Sequence, residues 1–465
     1  RAGLVMALDR SRLPVVDSDP PFAFPTVHHL TLLNGLDVRI VEHRKMPVVS
    51  AVLLLPGGSA TDPAGHPGLM SLTAALLDEG CGERSSLALY QELGRLGAQL
   101  DVEVGMDAST VRMTTLGRRA EAGLALLAQL ASEPRFEADA VDRVRALRLD
   151  RLAQLRDVPA AVADRAFARL LYGDGPYGHV PSGTRPGIRD LARDDIVAAH
   201  AGAYRPAGAT LVVVGDGTDA ALERMVTAAF GGWTGGASTG KEGPAAAARG
   251  SAEANGSEAA RLVVVDRPGA AQSELRLGHV GVARSTPDYF PLLVMNMALG
   301  GQFTSRINLN LRETHGYTYG ARSSFEFRRQ PGPFSVATSV HTRVTCDAIR
   351  EVLGELHGVR DGRPLAVEEI ARAKAALTRG YPRGFETAEQ IGRGLAQLAL
   401  HGLPDDHFSR FGPRVAAVEA ADVARVAEAY LDPARLAAVI VGDLTAMADG
   451  LPALGLGALA PMTLP

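Results

Sequence analysis

The chain carries one helix–turn–strand passage twice. Residues 191–216 read LARDDIVAAHAGAYRPAGATLVVVGD, and residues 417–443 read AVEAADVARVAEAYLDPARLAAVIVGD. Each opens on an acidic N-cap region and runs as a helix that ends at a tyrosine. Each then turns through a proline and finishes as an apolar strand closed by Gly-Asp. Tyr204 answers to Tyr430, and Gly215-Asp216 to Gly442-Asp443. Because the passages end two stretches of similar length, the chain reads as a duplication. Its fold must then be built from two similar halves.

The join falls at 231–260 (GGWTGGASTGKEGPAAAARGSAEANGSEAA), a Gly/Ala/Ser-rich stretch without hydrophobic periodicity that predicts a flexible linker. A chain of 465 residues exceeds one ordinary domain. The boundaries drawn are an extended N-terminal arm over 1–26, a domain over 27–232, the linker over 233–260, a second domain over 261–450 and a tail over 451–465. In the first half, alternation predicts strands over 36–43, 48–55, 99–104 and 108–115, with helices over 68–79, 87–96, 119–132, 137–155 and 160–171. In the second, strands near 261–266 and 272–281 precede a helix over 287–299. This mixture predicts an α+β fold of two duplicated domains, each a largely antiparallel sheet flanked by helices.

Composition excludes several function classes. A net charge of −4 and a pI near 6.3 give no basic field for nucleic acid or an acidic membrane. Cys81 and Cys346 are too few for a disulfide framework or a zinc ribbon and read as unpaired buried thiols. No apolar run reaches the length of about 18 residues that a membrane span needs. Residues 4–8 are too short for a signal-peptide core. The numbering opens on Arg1 rather than Met, and with the extended arm this leans the expected compartment to the periplasm, the cytoplasm being the alternative.

Two stretches carry the chemistry. In 68–80 (GLMSLTAALLDEG), Leu69, Leu72, Leu76 and Leu77 form the apolar face of a predicted core helix. Ser71, Ala74 and Ala75, at i, i+3 and i+4, share one face and offer only a hydroxyl and two methyl groups. In 300–322 (GGQFTSRINLNLRETHGYTYGAR), Gly300-Gly301 is expected to open a helix with Phe303, Ile307 and Leu311 on its apolar face. Gly316 would stop it as the C′ residue, and 317–324 would leave as a strand. Arg312 then lies on the last helical turn and Tyr319 at the start of the strand, with the reversal at Gly316 bringing them towards one another. A guanidinium and a phenol there offer several donors to a carbonyl oxygen. The twelve histidines contain no H-x-x-E-H, H-E-x-x-H or H-x-x-x-H spacing. The adjacent His28 and His29 should diverge, and His401 and His407 flank a loop containing Pro404, so no metal cluster is predicted.

Together the two stretches resemble the insulinase/pitrilysin-like (inverzincin) zinc metallopeptidases. The family's inverted motif H-x-x-E-H falls on 68–80, where Ser71, Ala74 and Ala75 replace the His, Glu and His. The resemblance implies a third, acidic ligand on helix 137–155, where Asp150 or Arg151 stands according to register. The family's signature of a Gly pair, Ser-Arg, Leu-Arg-Glu, Gly and Tyr matches Gly300, Gly301, Ser305, Arg306, Leu311, Arg312, Glu313, Gly316 and Tyr319. Further similar stretches are PGGSATDPAGHPGL at 56–69, YGDGPYG at 172–178 and FGGW at 230–233, and the resemblance spans roughly 27–446.

The resemblance implies one half of a clamshell, inactive by itself, that works as a heterodimer. A homologous zinc-bearing subunit would hold Zn²⁺ and the Glu general base, this chain needing no cofactor of its own. Arg312 and Tyr319 would act across the interface on a bound peptide. Three other readings stand beside it: a structural or assembly subunit of a larger complex, a peptide-binding homodimer without proteolysis, and an independent metallopeptidase with unrecognised ligands.

Overall fold

The computed structural model describes residues 22–235 and 261–462. Residues 1–21 of the arm expected over 1–26, residues 236–260 of the linker expected over 233–260, and residues 463–465 of the tail expected over 451–465 lie outside the described residues. The first half contains β1 (His28–Thr31), β2 (Asp37–Glu42), β3 (Val48–Pro56), the two-residue pair β4 (Gly80–Cys81) and β5 (Arg84–Ser85), β6 (Gln99–Val104), β7 (Ala108–Leu116) and β8 (Thr210–Gly215). The second contains β9 (Leu262–Asp266), β10 (Gln272–Val280), β11 (Ala321–Phe325), β12 (Pro333–His341), β13 (Ala437–Gly442) and β14 (Leu459–Pro461). Two six-stranded sheets result, ordered β1-β2-β8-β3-β7-β6 and β11-β12-β10-β13-β9-β14. All pairings within them are antiparallel except β2–β8, β9–β13 and β9–β14.

Read from opposite ends, the sheets superpose in order, and the repeated passage occupies the same place in each. Its strands β8 and β13 both run parallel to one neighbour, β2 or β9, and antiparallel to the other, β3 or β10. The fold is α+β, with two largely antiparallel sheets flanked by helices, as the alternation predicts. The duplication is inexact at one edge, where β14 takes the place that β1 holds in the first sheet.

Both sheets are covered on two faces, which accounts for the unbroken apolar runs VVSAVLLLP and AAVIVG. Alternate side chains of β3 go opposite ways. Val49, Ala51, Leu53 and Leu55 enter the large core under the first half's own helices, whereas Val52 faces helix Ala388–His401 of the second half. Reciprocally, Val439 and Val441 of β13 pack on Val162, Ala163, Ala166 and Phe167 of helix Pro159–Tyr172 from the first half. Arg276 on β10 fixes that crossing, with its Nε bonded to Asp164 on the visiting helix at 2.7 Å and its Nη1 to Glu274 at 2.7 Å. Each half thus lends one helix to the other's sheet. A loop contact ties them further, since Asp107 accepts from the Tyr177 hydroxyl and from the Arg329 amide at 2.8 Å.

Among the described residues no helix is long and apolar enough to cross a membrane. Both cysteines are free, Cys81 buried and Cys346 partly so.

Candidate functional site

The helix expected over 68–79 is shorter, running Leu69–Ala74 before the chain tightens into a 3₁₀ turn, Leu77–Glu79. The neighbours Leu76 and Leu77 are both fully buried, and a continuous helix would have turned one of them away from the core. The preceding loop sets the helix in place. The fully buried Asp62 carboxylate accepts from the Gly68 and Met70 amides at 2.7 and 2.8 Å and contacts His179 Nε2 at 3.2 Å. Gly68 sits at φ +103°, and a Cβ there would lie 2.7 Å from Ile188 Cδ1, so the position demands glycine.

The residues at the expected metal positions do not fit a zinc ion. Ala74 is buried and Ala75 packs against the core. The Ser71 hydroxyl is occupied by Arg148 on helix Ala138–Leu155, whose Nη1 donates to Ser71 Oγ at 3.0 Å and whose Nη2 reaches the Ser71 carbonyl at 3.4 Å. Neither Asp150 nor Arg151 takes this place: Asp150 is exposed, and Arg151 bonds Gln154 at 3.3 Å. The side chain that meets the degenerate helix is therefore cationic, two residues before Asp150 and three before Arg151. Among the described residues no group of three His, Cys, Asp or Glu side chains could hold a metal. His28 and His29 do diverge, to Glu223 and Asp405.

The second stretch departs from expectation at its start. Gly300-Gly301 ends a helix rather than opening one: helix Tyr289–Asn296 widens into a π-turn, Met297–Gly301, and stops. A Cβ on Gly300 would come within 2.3 Å of Ser323 Oγ and 2.6 Å of the Ser323 amide, so glycine lets this helix end lie against β11. The next helix begins at Arg306 and becomes a π-helix over Leu309–Thr314. Ile307 and Leu311 are buried as expected, whereas Phe303 is 60% exposed, because it lies in the loop before the helix and not on its face. Gly316, at φ +66°, donates its amide to the Arg312 carbonyl and acts as the stop that the sequence indicated. The following strand is shorter than expected, with regular pairing only over Ala321–Phe325.

Arg312 therefore stands in a π-helical turn, a local widening often found at functional sites. Its guanidinium lies 4.2 Å from the centre of the Phe303 ring and 3.4 Å from Glu313. Tyr319 is 94% exposed, and no hydrogen bond joins it to Arg312 among the described residues. Both flank β11, an edge strand of the second sheet. Arg306 of the Ser-Arg pair has a structural task, a bidentate grip on Glu369 at 2.6–2.7 Å that also reaches the Pro364 carbonyl. Burial raises the Glu369 pKa, but the Arg306 bonds outweigh it and hold the carboxyl below the usual range.

Sequence reasoning missed the asparagines that position this segment. Asn296 exchanges two bonds with Ser323, at 2.7 and 3.1 Å. Asn308 accepts from the Ala321 amide at 3.0 Å and donates to the Phe303 carbonyl at 2.6 Å. An Asn within an otherwise helical pattern, beside a tight glycine, was the available signal.

Comparison with known proteins agrees with this geometry. Residues 190–377 match the family model described as the peptidase M16 inactive domain. An uncharacterized zinc protease of Mycobacterium tuberculosis is 26% identical over 349 residues, covering 74% of this chain and 78% of the relative. The mitochondrial-processing peptidase subunit beta of Lentinula edodes is 22% identical over 441 residues, 90% of each chain. The crystal structure of a peptidase M16 inactive domain from Pseudomonas fluorescens shares the fold, with a TM-score of 0.81 and 24% identity over 90% of this chain and 98% of that one. With the fold and the matched signature, these findings make the chain similar to the insulinase-like M16 peptidases, from which it differs at the metal positions.

Proposed function

We propose that this chain is the non-zinc subunit of a heterodimeric zinc metalloendopeptidase. The observation that carries this reading is the split between its two halves. The first offers Ser71, Ala74, Ala75 and a guanidinium at the metal positions, whereas the second holds Arg312 partly exposed and Tyr319 fully exposed, both ahead of the edge strand β11. The partner would supply the Zn²⁺ and the general base. This chain would contribute the guanidinium of Arg312 and the phenol of Tyr319, both N–H or O–H donors to the carbonyl oxygen of a peptide held between the subunits. The relatives' names, zinc protease and processing-peptidase subunit, support the peptidase class and the subunit organisation.

Pairing is the first consequence. Sedimentation of the chain mixed with a homologue that carries the H-x-x-E-H motif and comes from the same organism should show a one-to-one complex at micromolar concentrations. Two independently sedimenting species would count against the assignment.

A further inference from the structure

Two arginines on one short helical segment are held in opposite ways. Arg306 uses its donors: Nε and Nη2 grip the Glu369 carboxylate at 2.7 and 2.6 Å, and Nη1 and Nη2 also reach the carbonyls of Arg363 and Pro364. Arg312 keeps its donors free. Among the described residues its guanidinium makes no hydrogen bond, and its Nε only approaches Glu313, at 3.4 Å. A guanidinium tied by carboxylates and carbonyls is a structural link, whereas one with its N–H groups free can still donate to a ligand.

What holds Arg312 is the ring of Phe303. The Arg312 Cζ stands over that ring, 4.2 Å from its centre. Such a contact is made through the flat face of the cation, so it orients the guanidinium without occupying a donor. Phe303 contributes little to the core. It is largely exposed, in the loop between the helix end at Gly301 and the next helix at Arg306, while Ile307 and Leu311 supply the packing.

The loop that presents the ring is itself fixed. Asn308 Nδ2 donates to the Phe303 carbonyl at 2.6 Å, and the Ser305 amide donates to the Gln302 carbonyl at 3.1 Å. Asn308 Oδ1 accepts from the Ala321 amide at 3.0 Å, two residues beyond Tyr319. One side chain thus ties the loop of the ring to the segment that carries the phenol.

We propose that Phe303 is a positioning residue for Arg312, its ring holding the guanidinium by the face and leaving the N–H groups free for the peptide carbonyl. This inference rests on the reading of Arg312 as a donor to that carbonyl and adds the group that orients it.

The test is steady-state kinetics of the reconstituted pair on a quenched fluorescent peptide, with thermal melts of each variant chain. Phe303→Leu keeps an apolar side chain and removes the aromatic face. Its kcat should fall about fivefold, the scale of one cation–π contact, with KM within about twofold of the parent value. Phe303→Tyr, which keeps the face, should recover most of that loss. In an Arg312→Ala background, Phe303→Leu should lower kcat no further, because the ring then has no cation to hold. The melts should match the parent chain, since the ring is outside the core. Parent-like kcat in Phe303→Leu beside a slow Arg312→Ala would overturn the positioning role and leave the donor role of Arg312 standing. A loss that persists in the Arg312→Ala background, or that falls on KM alone, would overturn it equally. Undiminished turnover in Arg312→Ala would overturn both.

Discussion

Arg312→Ala will lower the turnover of the assembled peptidase by about 10²–10³-fold, the loss seen when one preorganised oxyanion donor is removed, equivalent to roughly 3–4 kcal/mol of transition-state stabilisation. The effect should fall on kcat with KM nearly unchanged if the guanidinium acts mainly as charge develops on the carbonyl oxygen. Stability should hardly move. The side chain is about one-third exposed, and its contacts with Phe303 and Glu313 are of the surface kind, worth about 1 kcal/mol or less each. Tyr319→Phe, at a position 94% exposed, isolates the phenol in the same way. Steady-state kinetics of the reconstituted pair, with thermal melts of each variant chain, measure both quantities. Unchanged turnover in Arg312→Ala would remove the pair from the mechanism and favour a purely structural subunit.

The second large effect concerns acid. His200, His401 and His407 are held neutral by burial, each with a pKa pushed down to about 4, and the Arg284 charge adds to the depression of His401 and His407. Arg284 also bonds His407 Nε2 at 3.1 Å and lies over the Tyr289 ring, so protonating His407 would set two cations together. In the unfolded chain a histidine titrates near pH 6.5. Between that value and about pH 4 the unfolded state binds more protons than the folded one. The stabilisation is therefore complete above pH 6.5 and is lost as pH falls towards 4. From pH 7 to pH 5 each histidine should cost about 1–2 kcal/mol. Urea midpoints should fall clearly over that interval, and His407→Gln should shallow the dependence. Identical midpoints at the two pH values would show that these imidazoles are not held neutral.

Much of the architecture is legible in the sequence because it rests on local pattern. The repeated helix–turn–strand passage marks β8 and β13, and alternation in ASTVRMTTL marks β7. The exchange of helices is not legible. Pro159–Tyr172 and Ala388–His401 show an apolar stripe each, but a stripe states that a face is buried and not which half covers it. The hint lay in the strands, since a run such as VVSAVLLLP needs cover on both sides.

The candidate site divides similarly. Gly316 has a local signature, and its role as a helix stop follows from it. The Gly300 contact with Ser323, the Arg306 grip on Glu369 and the meeting of Arg148 with Ser71 join residues far apart in sequence, and only the packed structure brings them together. A helix register two or three residues off was enough to hide the Arg148 guanidinium behind Asp150 and Arg151.

The most direct test of the central claim is hydrolysis of a quenched fluorescent peptide by this chain alone, by its zinc-motif homologue alone, and by the two mixed. The account predicts turnover in the mixture far above the sum of the separate chains, abolished by a chelator. Turnover by this chain alone, or a homologue fully active without it, would contradict a shared active site.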